Sequence, residues 1–478
     1  MDGLIRKHFY LAGVYTLFTI LVIWSSSHVF FWDTVQLGAR HALFFFENPG
    51  AGLILPQEID SGHIPLFGYF LSWAWAIFGQ TLAVSHLVML PFVLGIVWLS
   101  YRLMIRFIPG KYVFIAHLIF LLDPVLVTQM SLVSPDIVLV FFFLLALESM
   151  LAHRQWMLSI GLAGLVCTSN RGIVLAAAIG IFDVIRMGWM QNQRASYYQW
   201  ISRALGYLPA FLIIIVYFYY HFKNTGWIIV HAQSPWAPCF EPVEIKVLFY
   251  NILIAGWRLM DFGRIFLVLL FLAALLFIKK ESLIKGKARL LLVLLIIVSF
   301  VILIVTVPYK NLLAHRYLIP VNLLASLYIL HVFYNQITSM RVVYFFSFIA
   351  PVVLLTGHLW LYPEGIAMGW DSTLAHTPYY HLRNDVIRFI DEKEIPVSAI
   401  GTGFPLTSQF RYSDLSGRTD AFSVKDLNKQ QYILYSNIIN DFTDDERLLL
   451  YGQWECIYET ASRSVFFRLY KRKDSNPL

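Results

Sequence analysis

Charge is scarce in this chain. Asp, Glu, Lys and Arg make up 14% of 478 residues while 58% are hydrophobic, against about 25% charged in a soluble globular protein. That excludes a soluble protein over most of the length and leaves an integral membrane protein. Cysteine is rarer still: Cys167, Cys239 and Cys456 have no metal-ligand or redox spacing, although Cys239 and Cys456 could pair if they share a compartment. Internal repeats are absent, and "GTGFP" (401–405) does not complete a dinucleotide fingerprint, so no nucleotide is assigned. The formal charge of +7 is not a nucleic-acid signal, because much of the basic excess lies in short loops between apolar runs, where it sets topology.

What the chain has is long apolar runs. They recur at 10–31, 84–107, 112–130, 137–151, 156–168, 172–187, 205–221, 265–278, 290–307, 312–334 and 342–361, near the ~20 residues that cross a bilayer, and predict about 11 transmembrane helices. The first follows a basic flank and is too long for a cleaved signal, so it reads as an anchor. The segment 64–79 is a doubtful further crossing. If it does not cross, Arg6, Lys7, Arg102, Arg106, Lys111, Arg154, Arg186, Arg194, Arg203, the run 279–289 and Arg341 all share one side, as the positive-inside rule expects. Its aromatics, Phe67, Tyr69, Phe70, Trp73 and Trp75, suit a helix lying in the interface. The N-terminus is then cytoplasmic, and the loops 32–63 and 222–257 fall outside with everything from Tyr362. The expected division is a membrane part, 1–361, and an extracytoplasmic α/β part, 362–478, with a helix near 379–393, strands at "VSAIGTG" and "QYILYSN", a helix at "DDERLLL" and paired strands at "WECIYETAS" and "VFFRLYKRK". That small domain either binds an acceptor or packs over the site.

The candidate chemistry gathers on the outer side. Asp33 follows the first span, and Asp136 sits in "VSPDIVLV", where Ser134 can cap a helix and Pro135 fits its first turn. In "LPQEIDSGHIPLFG" the loop delivers Glu58, Asp60 and His63 to a helix start, and His231 lies in the second outer loop. Carboxylates with imidazole can hold a divalent metal, here Glu58, Asp60, His63 and His231. Arg171, Arg258, Lys310 and Arg316 stand near outer span ends, where each can neutralise a lipid phosphate or anchor at headgroups. Asp123, before Pro124, is deeper, and either functions there or satisfies a kinked backbone. Glu148 and Asp183 read as structural, Asp183 pairing with Arg186.

In order, then, come an acid after the first span, a long loop ending in "GHIPLFGYFLSWAWAIFG", a span with a basic inner end "YRLMIRFIPGK", an outer "PD" opening the next span, and a later "HRYLIPV". This ordered set resembles the polyprenyl-phosphate-sugar-dependent glycosyltransferases of the GT-C class, nearest in pattern to lipid A aminoarabinose transferases and protein O-mannosyltransferases. Two features depart: Thr34 follows Asp33 where an Asp-Glu pair is common, and no lysine follows the loop acid. The resemblance implies a GT-C-like membrane fold and transfer of a sugar from an undecaprenyl- or dolichyl-type phosphate donor to a lipid, glycan or protein hydroxyl. It also implies Asp33 as catalytic base, Asp136 as active-site acid, and a metal at the loop acid with His231. A bacterial inner membrane is the expected location. The alternatives are a secondary transporter and a ligase or polymerase using a lipid-diphosphate-linked glycan.

Overall fold

The computed structural model describes residues 2–190, 196–234, 236–310, 313–364, 366 and 369–473. Arg194 and Leu312, which opens one expected run, lie outside the described residues. Helix α1 (Asp2–Ser25) leads into a long segment holding α2 (His41–Glu47) and α3 (Leu66–Phe78), followed by α4 (Leu82–Leu87) and α5 (Leu90–Phe107). Next come α6 (Val113–Leu121), α7 (Pro124–Met130), α8 (Pro135–Leu151), α9 (Gln155–Thr168), α10 (Asn170–Ile185) and α11 (Tyr197–Thr225). The membrane part closes with α12 (Ile245–Met260), α13 (Arg264–Ala274), α14 (Gly286–Thr306), α15 (Ile319–Gln336) and α16 (Met340–Thr356).

All the expected runs are helical, but they are not equivalent. Among the described residues 7 stretches are long and apolar enough to cross a membrane, or 9 if each of two bent helix pairs is one span. Helices α8 and α9, 17 and 14 residues long, are shorter than a straight crossing and pack on one another as a hairpin. Gly161 makes that approach possible, since an added Cβ would lie 2.6 Å from the backbone nitrogen of Ala146. Helix α3 has 13 residues. It buries Phe67, Leu71 and Trp75 and leaves Tyr69, Trp73, Ile77 and Phe78 outward, the two-faced pattern of a helix lying in an interface.

The bends have local causes. Helices α6 and α7 meet at 69°, where Pro124 removes a donor and the Asp123 carboxylate accepts from the Leu126 N–H at 3.0 Å. The same carboxylate receives Arg264 Nε at 2.7 Å and Nη2 at 2.6 Å, so Asp123 satisfies the kinked backbone and ties it to α13. Helices α12 and α13 meet at 84°, where Phe262 (φ 55) and Gly263 (φ 84) turn the chain. Asp261 holds that corner, accepting from the Phe262 N–H at 3.0 Å, lying 2.7 Å from His315 Nε2, and accepting from the Tyr362 hydroxyl. At the far end of the bundle, Glu148 pairs with Arg102 at 2.7 Å and Asp183 with Arg186 at 2.9 Å, the structural roles expected of these acids.

The C-terminal part has helices α17 (Tyr379–Glu392), α18 (Phe410–Ser413) and α19 (Asp444–Gln453), and strands β1 (Ile400–Thr402), β2 (Ser423–Val424), β3 (Tyr432–Ser436), β4 (Trp454–Ser462) and β5 (Val465–Arg472). The sheet order is β2-β1-β3-β5-β4: β1 runs parallel to β2 and β3, while β5 is antiparallel to β3 and β4. Thr443 and Glu446 form a capping box that starts α19. This core is not separate from the bundle, because Val29, Phe31 and Leu132 are part of it. Phe31 stacks on His376 with ring centroids 4.7 Å apart, His28 stacks on Tyr380 at 3.9 Å, and the Phe30 N–H donates to the Ser413 carbonyl at 2.7 Å. The sheet unit thus sits on the end of α1, beside the loop that carries Asp33. The cysteines are free, so Cys239 and Cys456 do not pair.

Candidate active site

Arg316 stands at the centre, in the short 3-10 turn His315–Leu318 that opens α15. Its guanidinium donates to Asp33 and to Asp371, and its Nε lies 3.3 Å from Asp136. Asp136 is also paired with Arg171 Nη1 at 2.6 Å, and Arg171 lies over the Tyr317 ring at 4.0 Å. Each group arrives from a different element. Asp33 follows α1; Asp136 opens α8 behind its Ser134 cap, whose hydroxyl accepts from the Asp136 N–H at 3.1 Å. Arg171 is in the first turn of α10, capped by Ser169, and Asp371 comes from the turn after the last span. Side-chain exposure separates the acids: Asp33 is 37% exposed, Asp371 10% and Asp136 6%. Asp33 is therefore the carboxylate of the three that an incoming molecule can reach.

Asp371 was not anticipated. Its segment, "MGWDSTLAH", is a lone acid at a composition boundary with no spacing to mark it. Two contacts fix it there: Gln129 donates to the Asp371 carbonyl at 2.7 Å, and Gly369 (φ 57) lies where an added Cβ would be 2.6 Å from His315 Nδ1.

Beside Asp136 and Arg171 lies a small cavity lined by His41, Ser61, His63, Ser169 and the start of α3, of about 20 Å³, room for a single water. His63 Nδ1 accepts from the Asn170 N–H at 3.4 Å. Burial, then the neighbouring Arg171 charge, pushes the His63 imidazole down to about 4, so it is neutral at physiological pH. Through the shared Phe67 and Thr168 this polar cavity abuts a much larger apolar one of about 610 Å³, walled by Tyr69, Phe70, Trp73, Phe92, Phe142 and Cys167 between α3, α8 and α9. A charged head and a long apolar tail thus have adjoining places.

The other expected site residues lie elsewhere. Asp60 is buried, receiving the Gly62 N–H at 2.8 Å and sitting 2.9 Å from His221 Nε2 on α11. Glu58 is exposed in the loop. His231 Nδ1 accepts from the Gln57 amide at 3.2 Å, which helps draw the loop after α11 onto the loop before α3. The structure does not gather Glu58, Asp60, His63 and His231 into one cluster, and both Asp60 oxygens contact other groups of the protein. Among the described residues no group of three or more His, Cys, Asp or Glu could hold one. Arg258 lies with His315, 3.2 Å away, in the buried corner built on Asp261. Lys310 is exposed and pairs with Glu241 at 2.5 Å. Of the four expected phosphate binders, the structure brings Arg171 and Arg316 together with Asp33 and Asp136, and leaves Arg258 and Lys310 apart.

The chain superposes on a solved structure, ArnT from Cupriavidus metallidurans bound to undecaprenyl phosphate, with a TM-score of 0.54 over 97% of this chain and 98% of that one at 12% identity. The chain has the ArnT fold. The apo state of the same protein matches with a TM-score of 0.53 and 13% identity, over 96% and 98% of the two chains. At these identities the likeness is one of fold. No protein-family model matches the sequence, and no curated protein does.

Proposed function

We propose that this ArnT-fold protein is a glycosyltransferase that takes a sugar from a polyprenyl-phosphate donor and passes it to a hydroxyl acceptor at the outer face of the membrane. The observation that carries the reading is the junction of the arginine–aspartate cluster with the large apolar cavity. A polyprenyl chain needs the second, its phosphate the first. The structural neighbour's bound undecaprenyl phosphate supports the same class of donor. The bacterial inner membrane, with the N-terminus inside, agrees with the charge distribution of the loops.

In this reading the isoprenoid lies between α3, α8 and α9. The phosphate meets Arg171, which is reachable at 27% exposure and backed by the N-terminus of α10. The acceptor oxygen attacks the anomeric carbon opposite the phosphate. As that bond forms, the carbon–oxygen bond to phosphate breaks, its electron pair leaves on the phosphate, and the hydroxyl proton passes to Asp33. The product is inverted at that carbon. A phosphate monoester, with a second pKa of about 6, leaves without a general acid, so neutralising its charge matters most. Asp136, nine-tenths buried and ion-paired with both arginines, positions them. The steps above use the protein's own arginines, since among the described residues the expected ligands do not gather into one cluster. The two helix bends that a transporter would use as moving half-helices are instead tied by the buried Asp123–Arg264 and Asp261–His315 pairs.

The test supplies purified protein with labelled sugar on polyprenyl monophosphate or diphosphate, with and without chelator. Release of polyprenyl phosphate from the monophosphate donor, unaffected by chelation, is expected. Turnover of the diphosphate donor alone would replace this reading with the ligase or polymerase one.

A further inference from the structure

A second polar cavity lies at the opposite end of the bundle. Helix α10 starts at Asn170, beside Arg171, and its 16 residues carry the chain about 24 Å at 1.5 Å per residue. There Asp183 and Arg186 meet Arg203 of α11 and the α8–α9 turn around a cavity of about 270 Å³, lined by His153, Gln155, Arg186, Gln199, Ser202 and Arg203. Both guanidiniums are buried, each with its side chain 7% exposed, and they share one carboxylate, Asp183, at 2.9 and 3.3 Å. Arg203 spends its other donors on Gln155 Oε1, the Met150 carbonyl and His153 Nδ1, all neutral acceptors within 3.2 Å. Two buried cations with one anion leave an excess positive charge inside a polar cavity, an arrangement that favours a bound anion. Planar guanidiniums suit the oxygens of a phosphate.

The rim indicates where that phosphate comes from. Tyr198 lines the cavity, and Trp156, Trp189 and Tyr197 stand within two residues of its lining side chains; all four are 65% to 82% exposed, the pattern of aromatic side chains at headgroup depth. We infer that this cavity binds a phosphate ester, the headgroup phosphate of an anionic phospholipid, at the end of the bundle remote from Asp33. The site is distinct from the donor site and stands whether or not the proposed transfer reaction is correct.

The experiment measures retention of dioleoyl phosphatidylglycerol and dioleoyl phosphatidylcholine by the purified full-length protein, using native mass spectrometry and a fluorescent phosphatidylglycerol, with inorganic phosphate as competitor. Ser202→Glu is the main variant: the position is exposed, so the fold tolerates it, and the added carboxylate occupies the anion's place. Arg186→Gln/Arg203→Gln is the second. Phosphatidylglycerol binding weaker by about tenfold in Ser202→Glu, with phosphatidylcholine unaffected, is the expected result. Displacement of the lipid by millimolar inorganic phosphate in wild type alone would keep the phosphate site and name a soluble source. Equal retention of phosphatidylglycerol by wild type and by Ser202→Glu, and by the double variant where it folds, would overturn the inference.

Discussion

Removing the Arg316 guanidinium separates two roles that the same cluster plays. In Arg316→Gln, Asp136 keeps Arg171 at 2.6 Å, and Asp33, 37% exposed, is solvated. Asp371 is the loser: 10% exposed, it keeps, among the described residues, the Ser372 hydroxyl at 3.1 Å as its side-chain partner. A buried charge stripped of its partner costs about 3–5 kcal/mol, and here the cost falls on the turn that joins the sheet unit to the bundle. Asp33→Asn removes the exposed end of the cluster and costs about 0–1 kcal/mol. Both variants lose transfer, so activity alone does not distinguish them. Stability does. Thermal unfolding in detergent, with protease cleavage of the C-terminal unit as a second readout, should show Arg316→Gln strongly destabilised and Asp33→Asn near wild type. Adding Asp371→Asn to Arg316→Gln removes the uncompensated charge and should restore most of the loss. An Arg316→Gln protein within about 1 kcal/mol of wild type, or no recovery in the double variant, would refute the reasoning, because the cluster would then be too well solvated to hold the two parts together.

Three further outcomes follow from the geometry. Asp60→Asn should weaken the contact between the first outer loop and α11, seen as faster proteolysis of residues 50–65, while transfer stays insensitive to chelator; chelator-sensitive transfer lost in Asp60→Asn would restore a metal role for this loop. Gly68→Val drives side-chain carbon into His41, whose Cβ lies 2.4 Å from an ideal Cβ at that position, and should cost about 1–3 kcal/mol by overpacking, read from thermal unfolding. Burial holds the His41 imidazole down at about 4, against an ordinary value of 6.5. The unfolded chain therefore takes up a proton that the folded one refuses between those values, so stability falls as pH drops from 6.5 to 4, and His41→Gln should flatten that part of the profile.

Most of the fold was legible because hydropathy and helical period are local properties: each expected run holds a helix, and α3, with 13 residues, is shorter than a straight crossing, as the length of its apolar stretch suggested. The elements of the C-terminal unit were legible for the same reason, apart from α18 and β2, whose four and two residues are too few to show a period. What stayed hidden is α12, which makes a 16-residue helix of the second half of the expected loop 222–257, and what distant segments do to one another. Asp371 joins Arg316 across 55 positions, and although Arg316 sits in "HRYLIPV", nothing in the sequence marks Asp371 as its partner. Asp60 meets His221 of α11 across 161 positions, a contact that no local pattern announces. Asp123 offered two readings, and its contacts with Leu126 and Arg264 decide for the kinked backbone. The positive-inside pattern identified which end of the bundle to search, but not which arginines meet there: Arg171 and Arg316 share Asp136, whereas Arg258, equally near a span end, closes the Asp261 corner.

The most direct test of the account measures transfer of labelled sugar from a purified polyprenyl-monophosphate donor, with the anomeric configuration of the product determined. Wild type should give an inverted product, and folded Asp33→Asn should lose roughly 10²–10⁴-fold in rate, as removal of a general base does. Undiminished transfer by Asp33→Asn, or a product that retains the donor's configuration, would contradict it.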